Sequence, residues 1–376
     1  MLEKIKINIS KSTYDILLKD CANFNFYKAS DQLNKNLFLN TLIVNYYETY
    51  SSNEEKFKEK LLTLVNEYID EKQYELLDKI INTIHKDGEI GLERKSEIIN
   101  LKPTKMSEKH ILFIENNLVK NNSISSFYRN LFASYAHIPQ NYRELIIFKD
   151  VYDTLLESIK QERKVCIIFN NNDTLKSASV YKIESSKEEL FNYVLVNIGN
   201  SSMTIRLSKI KYVTLLNEKR NISDKSQEMF ERQIKYGVQY PFYNYYEEPI
   251  IVKMTEKGKE LFKKIYLYRP VPEKIEGDLY YFNCSHNQVS HYFKRFGKDA
   301  MIIAPIGLAY MMKKYYHKAN REYSEFLKTK TPRFELDPKK TNWNWSFILQ
   351  KIDAEILTYK SISLLNFLSF LLTLYI

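Results

Sequence analysis

The chain has 376 residues, with 56 Lys and Arg against 46 Asp and Glu and a formal net charge of +10. Hydrophobic residues make up 44%, while Gly (8) and Pro (9) are scarce, which excludes a disordered or low-complexity chain and predicts two to four cored domains. Residues 251–340 hold 19 Lys and Arg against 10 Asp and Glu, so nearly all of the excess charge sits there. A basic cluster of that kind favours a polyanionic partner, most simply nucleic acid. The three cysteines, Cys21, Cys166 and Cys284, lie far apart, which suits reduced thiols in a cytoplasmic protein. There is no CxxC, and the six histidines are scattered, so neither a metal site nor another cofactor is expected.

"KIKINIS", Lys4 to Ser10, reads as a strand. Ile5, Ile7 and Ile9 face one way and Lys4, Lys6 and Asn8 the other, because strand side chains alternate. Ser12 is placed to cap a first helix, with Asp15 three residues on. Ser30 is placed to cap a second, with Asp31 in its first turn. Leu33, Leu37, Phe38, Leu42 and Val44 cover much of that second helix, so it should be largely buried.

Strand, helix, helix within residues 1–50 resembles the ribbon-helix-helix fold. In that family two copies intertwine and their strands form a ribbon that enters the DNA major groove. The resemblance implies a homodimer through the ribbon, with Lys4, Lys6 and Asn8 as base readers. It also implies that Ser30 marks a phosphate-holding helix start. The glycine often found between that family's helices is absent from "NFNFYKAS".

Residues 51–147 form a helical connector, with two amphipathic helices over 53–86. Within it, "LKPTKMSEKHILFIENNLVKNNSISSFYRNLF" echoes the first fifty residues. Met106-Ser107 falls on Ile9-Ser10, and Ser125 falls near the place of Ser30. Two partners for the first strand follow: another copy of the chain, which is favoured, or the degenerate "KPTKM" segment.

Residues 148–216 contain an amphipathic helix, "FKDVYDTLLESIK", and then five strand-like stretches. A helix and five short strands in that length predict a small SH3- or Sm-like barrel. Order and spacing resemble the WYL domain, a bacterial ligand-sensing module. "NYVLV" stands where that family has Trp-Tyr-Leu, with Tyr193 matching and Asn192 replacing the Trp. "IRLSKI" stands where it has Phe-Arg-Leu-Asp-Arg-Ile; Arg206, Leu207 and Ile210 match, Lys209 keeps the charge and Ser208 loses the acid. The resemblance implies a groove for an anionic, nucleotide-like ligand, lined by Arg206 with Lys209, Tyr193 and Tyr181. An arginine beside aromatic rings suits phosphate contact and base stacking.

Residues 217–247 read as a polar, then Tyr-rich connector. From 249 the pattern alternates strand, helix, strand, helix, strand and then a long helix after Pro305, which predicts a ferredoxin-like unit over 217–330. "HYFKRFGKDAMIIAPIGLAYMM" resembles the C-terminal extension that follows WYL domains, through Phe296, Gly297, Pro305 and Leu308. Lys294, Arg295, Lys298, Lys313, Lys314 and Lys318 interleave there with Tyr315, Tyr316 and Tyr323, a combination suited to nucleic acid. Residues 331–376 form a tail. Its last 16 residues, 361–376, carry no charge but fall short of the ~20 needed to span a membrane, so a buried terminal helix is favoured over an anchor.

The chain therefore reads as multidomain α+β without a catalytic constellation. Two nucleic-acid functions follow: a homodimeric DNA-binding transcriptional regulator whose barrel senses a nucleotide-like ligand, or an accessory protein of a type VI-D CRISPR locus. The second rests on resemblance: the pairing of ribbon-helix-helix and WYL parts resembles accessory proteins of such loci, which implies binding of single-stranded RNA and enhancement of the RNA-guided effector nuclease. A dimeric interaction scaffold is the third reading.

Overall fold

The computed structural model describes residues 3–65, 96–119, 123–199, 201–242 and 248–330. They fall into two compact units, Met1–Lys313 and Lys314–Ile376. The molecule mixes helices with several antiparallel sheets.

The first unit opens with β1 (Ile5–Ser10), α1 (Lys11–Asn23) and α2 (Lys35–Val65). The partner of β1 is β2 (Ser96–Leu101) of the same chain, antiparallel, with Ile7 opposite Ile99 and Asn8 opposite Ile98. This corrects both sequence expectations: the pairing needs no second copy, and the strand lies just before "KPTKM" rather than in it. Pro103 lacks an N–H and stands beyond the strand's end, as it must. Strand β2 is followed by α3 (Glu108–Phe113), a π turn to Leu118 and α4 (Ile124–His137). Strand, helix and helix thus occur twice in one chain, and the two strands meet in one ribbon. Ile7, Ile9, Ile99 and Leu101 are buried on its inner face against α1 and α4. Each such side chain contributes ~1.5–3 kcal/mol relative to exposure.

The helix starts differ from the sequence reading. Ser10, not Ser12, caps α1, its Oγ accepting from the Thr13 amide. Helix α2 begins at Lys35, where Asn34 Oδ1 accepts from the Leu37 amide at 3.2 Å. Ser30 lies four residues earlier, in a turn closed by the Tyr27–Leu33 bridge, so it neither caps α2 nor marks its start. Ser123 rather than Ser125 caps α4. Phe38 and Leu42 are buried as expected, but Leu37 is exposed and α2 continues well past residue 50. Asn36 and Asn40, one turn apart on α2, both donate to the Lys102 carbonyl and so tie the exit of β2.

Helices α5 (Gln140–Ile147) and α6 (Lys149–Lys160) lead into β3 (Arg163–Phe169), β4 (Thr174–Ser185), β5 (Asn192–Ile198), β6 (Ser201–Arg206) and β7 (Ile210–Lys219). The five strands form an antiparallel sheet in the order β6-β5-β4-β3-β7, with a 3-10 turn, Leu207–Lys209, between β6 and β7. Val165, Ile167, Val180, Val194, Val196 and Ile205 alternate inward and pack on Leu155 of α6. Helix α7 (Asp224–Tyr236), capped by Ser223, stands where the sequence suggested a plain connector.

The remainder runs β8 (Ile250–Met254), α8 (Glu256–Lys264), β9 (Lys274–Glu276), β10 (Leu279–Phe282), α9 (His286–Phe293), β11 (Ala300–Ala304) and α10 (Ile306–Lys330). The four strands are antiparallel in the order β11-β8-β10-β9. Gly258 is required where α8 meets the turn before β11: a Cβ there would lie 2.0 Å from the Asp299 carbonyl oxygen. Leu308 and Met312 bury one face of α10. In the second unit the described residues, 314–330, are helical, and those from 314 to 328 are mostly exposed. The uncharged stretch 361–376 and most of 53–86 lie outside the described residues. Among the described residues no helix is long and apolar enough to cross a membrane.

Asp20 on α1 is fully buried and receives two N–H bonds from Arg143 of α5, at 2.6 and 2.9 Å, and a third from the Tyr135 hydroxyl at 2.9 Å. Asp20→Ala strands the guanidinium in the interior. Urea unfolding should show a loss of about 3–5 kcal/mol, and the paired replacement Asp20→Leu with Arg143→Met should restore most of it.

Candidate functional site

The barrel residues singled out in the sequence meet in part. Tyr193 on β5 lies directly opposite Arg206 on β6. Alternation turns both away from the core that holds Val194 and Ile205, onto the face that α7 approaches. Tyr193 and Tyr181 pack against the cluster of Leu195, Met229 and Phe230 that joins β5 to α7. Tyr181 stacks on Phe230 with ring centroids 5.2 Å apart, and its hydroxyl donates to Glu231 at 2.6 Å. Burial, with Glu231 beside it, pushes the Tyr181 phenol up to about 12. The Tyr193 hydroxyl donates to Glu189, and burial raises its pKa further still. Both rings are thus held by packing and by carboxylates.

Arg206 is half-buried. Its Nη2 donates to the Asn23 carbonyl at the end of α1, 2.6 Å away, and its guanidinium lies 3.2 Å from the centroid of the Phe191 ring. Its Nε is buried without a partner among the described residues. Burial lowers its pKa, opposed by the charges of Glu144, Tyr193 and Glu189. Lys209, three residues on, is exposed. Arg206 therefore links the five-stranded sheet to the N-terminal helices through one Nη2 donor.

Behind it lies a network that the sequence reading missed. Glu144 on α5 is fully buried and accepts from the Asn192 amide (2.6 Å), Asn192 Nδ2 (2.9 Å) and the Ser208 amide (3.1 Å). Asn192 and Ser208 are two of the positions, with Val194, at which the sequence departs from the WYL pattern. Asn192 Nδ2 also reaches the Asn141 carbonyl, and Ser208 presents its carbonyl to Asn25 and Asn170. Both departures fit a carboxylate supplied from α5.

The other sequence-predicted residues stand apart from this centre. Lys4, Lys6 and Asn8 are exposed on the outer face of the ribbon, with Asn100 opposite Lys6 and Ile98 opposite Asn8. Arg129 of α4 donates to the Asn8 carbonyl at 2.7 Å. Arg295 and Lys298 are exposed beyond α9, with Arg295 over the Tyr292 ring at 5.3 Å, and Lys294 is half-buried. Lys313 and Lys314 are exposed on α10, as is Lys318, and the neighbouring Tyr315 and Tyr316 rings lie 5.5 Å apart. Among the described residues no group of acidic, histidine or cysteine side chains could hold a metal ion.

No family profile matches the chain, and no curated protein matches its sequence. Solved structures do match. The crystal structure of a CRISPR Cas-related protein superposes with a TM-score of 0.62 at 19% identity, covering 87% of this chain and 95% of that one. Proteasome accessory factor B/C of Arthrobacter aurescens matches with a TM-score of 0.23 at 11% identity, over 60% of this chain and 39% of that one. The first comparison shows a shared fold along nearly all of the other protein.

Burial raises the Glu144 pKa above its ordinary 4.5, outweighing the N–H bonds that favour its charged form. A carboxyl raised in this way binds its proton more tightly folded than unfolded. Its contribution to stability is full below the unfolded value and is lost as the pH rises through the folded one. Glu144→Gln should flatten that part of the stability profile. Urea titrations from about pH 4 to about pH 7, compared with the parent protein, measure the change in slope.

Proposed function

We propose that this protein is a nucleic-acid-binding accessory of a CRISPR system, binding single-stranded RNA and acting on an RNA-guided nuclease. The observation that carries the reading is the nearly full-length likeness to a CRISPR Cas-related protein. The domain order supports it. The N-terminal part is read as two ribbon-helix-helix units closed within one chain, and the five-stranded sheet with its 3-10 turn as a WYL barrel. The order β11-β8-β10-β9 is that of a ferredoxin-like extension. On this reading Lys209 and the guanidinium of Arg206, flanked by Tyr193, take the nucleotide-like ligand. Arg295, Lys298 and Lys313 supply cations for a phosphate backbone.

The runner-up is a DNA-binding transcriptional regulator. One observation favours it: the outer ribbon face is open, with Lys4, Lys6 and Asn8 exposed. That face also presents Ile98, 53% exposed, opposite Asn8, so the two strands of one chain cannot read bases alike. A symmetric operator would need a second molecule.

Equilibrium binding of single-stranded RNA and of duplex DNA across a salt series separates the two. The accessory reading expects RNA to bind more tightly. Arg295→Ala and Lys298→Ala should each reduce the salt slope by about 1, and Lys6→Ala with Asn8→Ala should have little effect. Tight sequence-specific duplex binding lost in the ribbon variants would reverse the assignment. Failure of both polymers to bind at micromolar protein and physiological salt would sink both.

A further inference from the structure

Outside the Arg206 region, a cleft of about 570 Å³ separates the N-terminal helices from the barrel. Its floor is the edge-to-face pair of Phe24 and Phe148, with centroids 6.0 Å apart. One wall is α2, where Leu37, Thr41 and Val44 recur at helical spacing. The other is the start of β7, from Ile210 to Val213. Two aromatic rings stand at its mouth, Tyr27 (47% exposed) and Tyr212 (60% exposed). Size, an apolar floor and a position between two cores are what small-ligand sites share.

The polar lining narrows the ligand. Asn25, Asn45 and Asn170 line the cleft, and each turns its Nδ2 to main-chain carbonyls: Ser208 for Asn25 and Asn170, Ile146 and Ile147 for Asn45. Each therefore leaves its Oδ1 without a donor among the described residues. Asp150 adds a carboxylate, and Lys211 is the one cation in the lining. Lys211 donates to Asn172 at 3.2 Å and lies 5.5 Å from the Tyr212 ring. One positive and one negative charge make a poor phosphate site, whereas acceptor oxygens beside exposed rings suit a planar group carrying N–H donors.

We propose that this cleft binds a nucleobase bearing an exocyclic amino group, stacked on Tyr212 and Tyr27 and held through its amino donor by the asparagine oxygens. The base comes either from a free nucleoside or from an unstacked position in a single strand; both offer the same edge. The site does not depend on the RNA reading above, because a nucleoside alone should occupy it.

Calorimetric titration of the full chain with adenosine, inosine, a short oligoadenylate and the same oligomer with abasic sites tests this. Adenosine should bind, and inosine, which replaces the amino donor with an acceptor, should bind about 5-fold or more weakly. Tyr212→Ala and Tyr27→Ala should each weaken adenosine by about 5-fold or more. Both side chains are exposed, so the melting temperature of each variant should match the parent and exclude a folding defect. An oligoadenylate that binds more tightly than adenosine and loses that gain when abasic assigns the base to a polymer; equal affinities per base assign it to a free nucleoside. The proposal is overturned if adenosine does not bind at millimolar concentration. It also fails if inosine binds as well as adenosine, or if neither tyrosine substitution changes affinity. RNA binding and adenosine binding that both survive unchanged in the two tyrosine variants would leave the accessory reading standing while the cleft assignment fell.

Discussion

Two adjacent residues on one short helix, Arg143 and Glu144, tie the N-terminal helices to the five-stranded sheet. Successive residues on an α-helix point about 100° apart, so α5 can address two neighbours at once. Arg143 turns to α1 and grips Asp20 with two N–H bonds, while Glu144 turns to the barrel and accepts from Asn192 and Ser208. Ions this deep are costly unless every lone pair and proton is met. Here Asp20 has three donors and Glu144 has three, and Arg143 uses its remaining Nη1 on the Ile138 carbonyl. Apolar packing alone would tolerate sliding of one core on the other. The fixed directions of these bonds set the orientation of the barrel on the N-terminal helices.

That orientation brings Arg206 to the end of α1. The guanidinium which the sequence marks as a ligand group is also a structural link, bonded to the Asn23 carbonyl and stacked on Phe191. The cleft between α2 and β7 is lined by the same Phe24–Phe148 pair.

The pairing of β1 with β2 changes how the ribbon can be used. A ribbon made by two copies has two identical outer faces. One made within a chain has Lys4, Lys6 and Asn8 on one strand and Ile98 and Asn100 on the other. Its positive charge is modest, and the larger cationic surface lies beyond residue 250, on the side chains of Arg295, Lys298 and Lys313. A protein arranged this way holds itself together at its N-terminal end and offers its charge farther along the chain.

Much of the fold could be read from local pattern. The alternation of isoleucines in β1, the five barrel strands and the strand-helix alternation after residue 249 follow from side-chain periodicity, which is a property of the chain alone. Strand β2 escaped because Ile98 and Ile99 are adjacent and break the alternation; only the ribbon's inner face selects Ile99 for burial. Helix α7 escaped because its buried apolar residues, Met229 and Phe230, are few. Ser30 looked like a cap by residue type, yet the Tyr27–Leu33 bridge moved the helix start to Lys35. By itself the sequence determined the alternating strands and the strongly amphipathic helices, where the charge gathers and that Tyr193 and Arg206 share a face of the sheet. Tertiary structure alone decided that β1 finds its partner 91 residues on, counted from Ile5 to Ser96. It alone decided that Arg143 and Glu144 are interior ions and that a cleft lies between two cores. Those depend on contacts between residues remote in the chain, which no local spacing encodes.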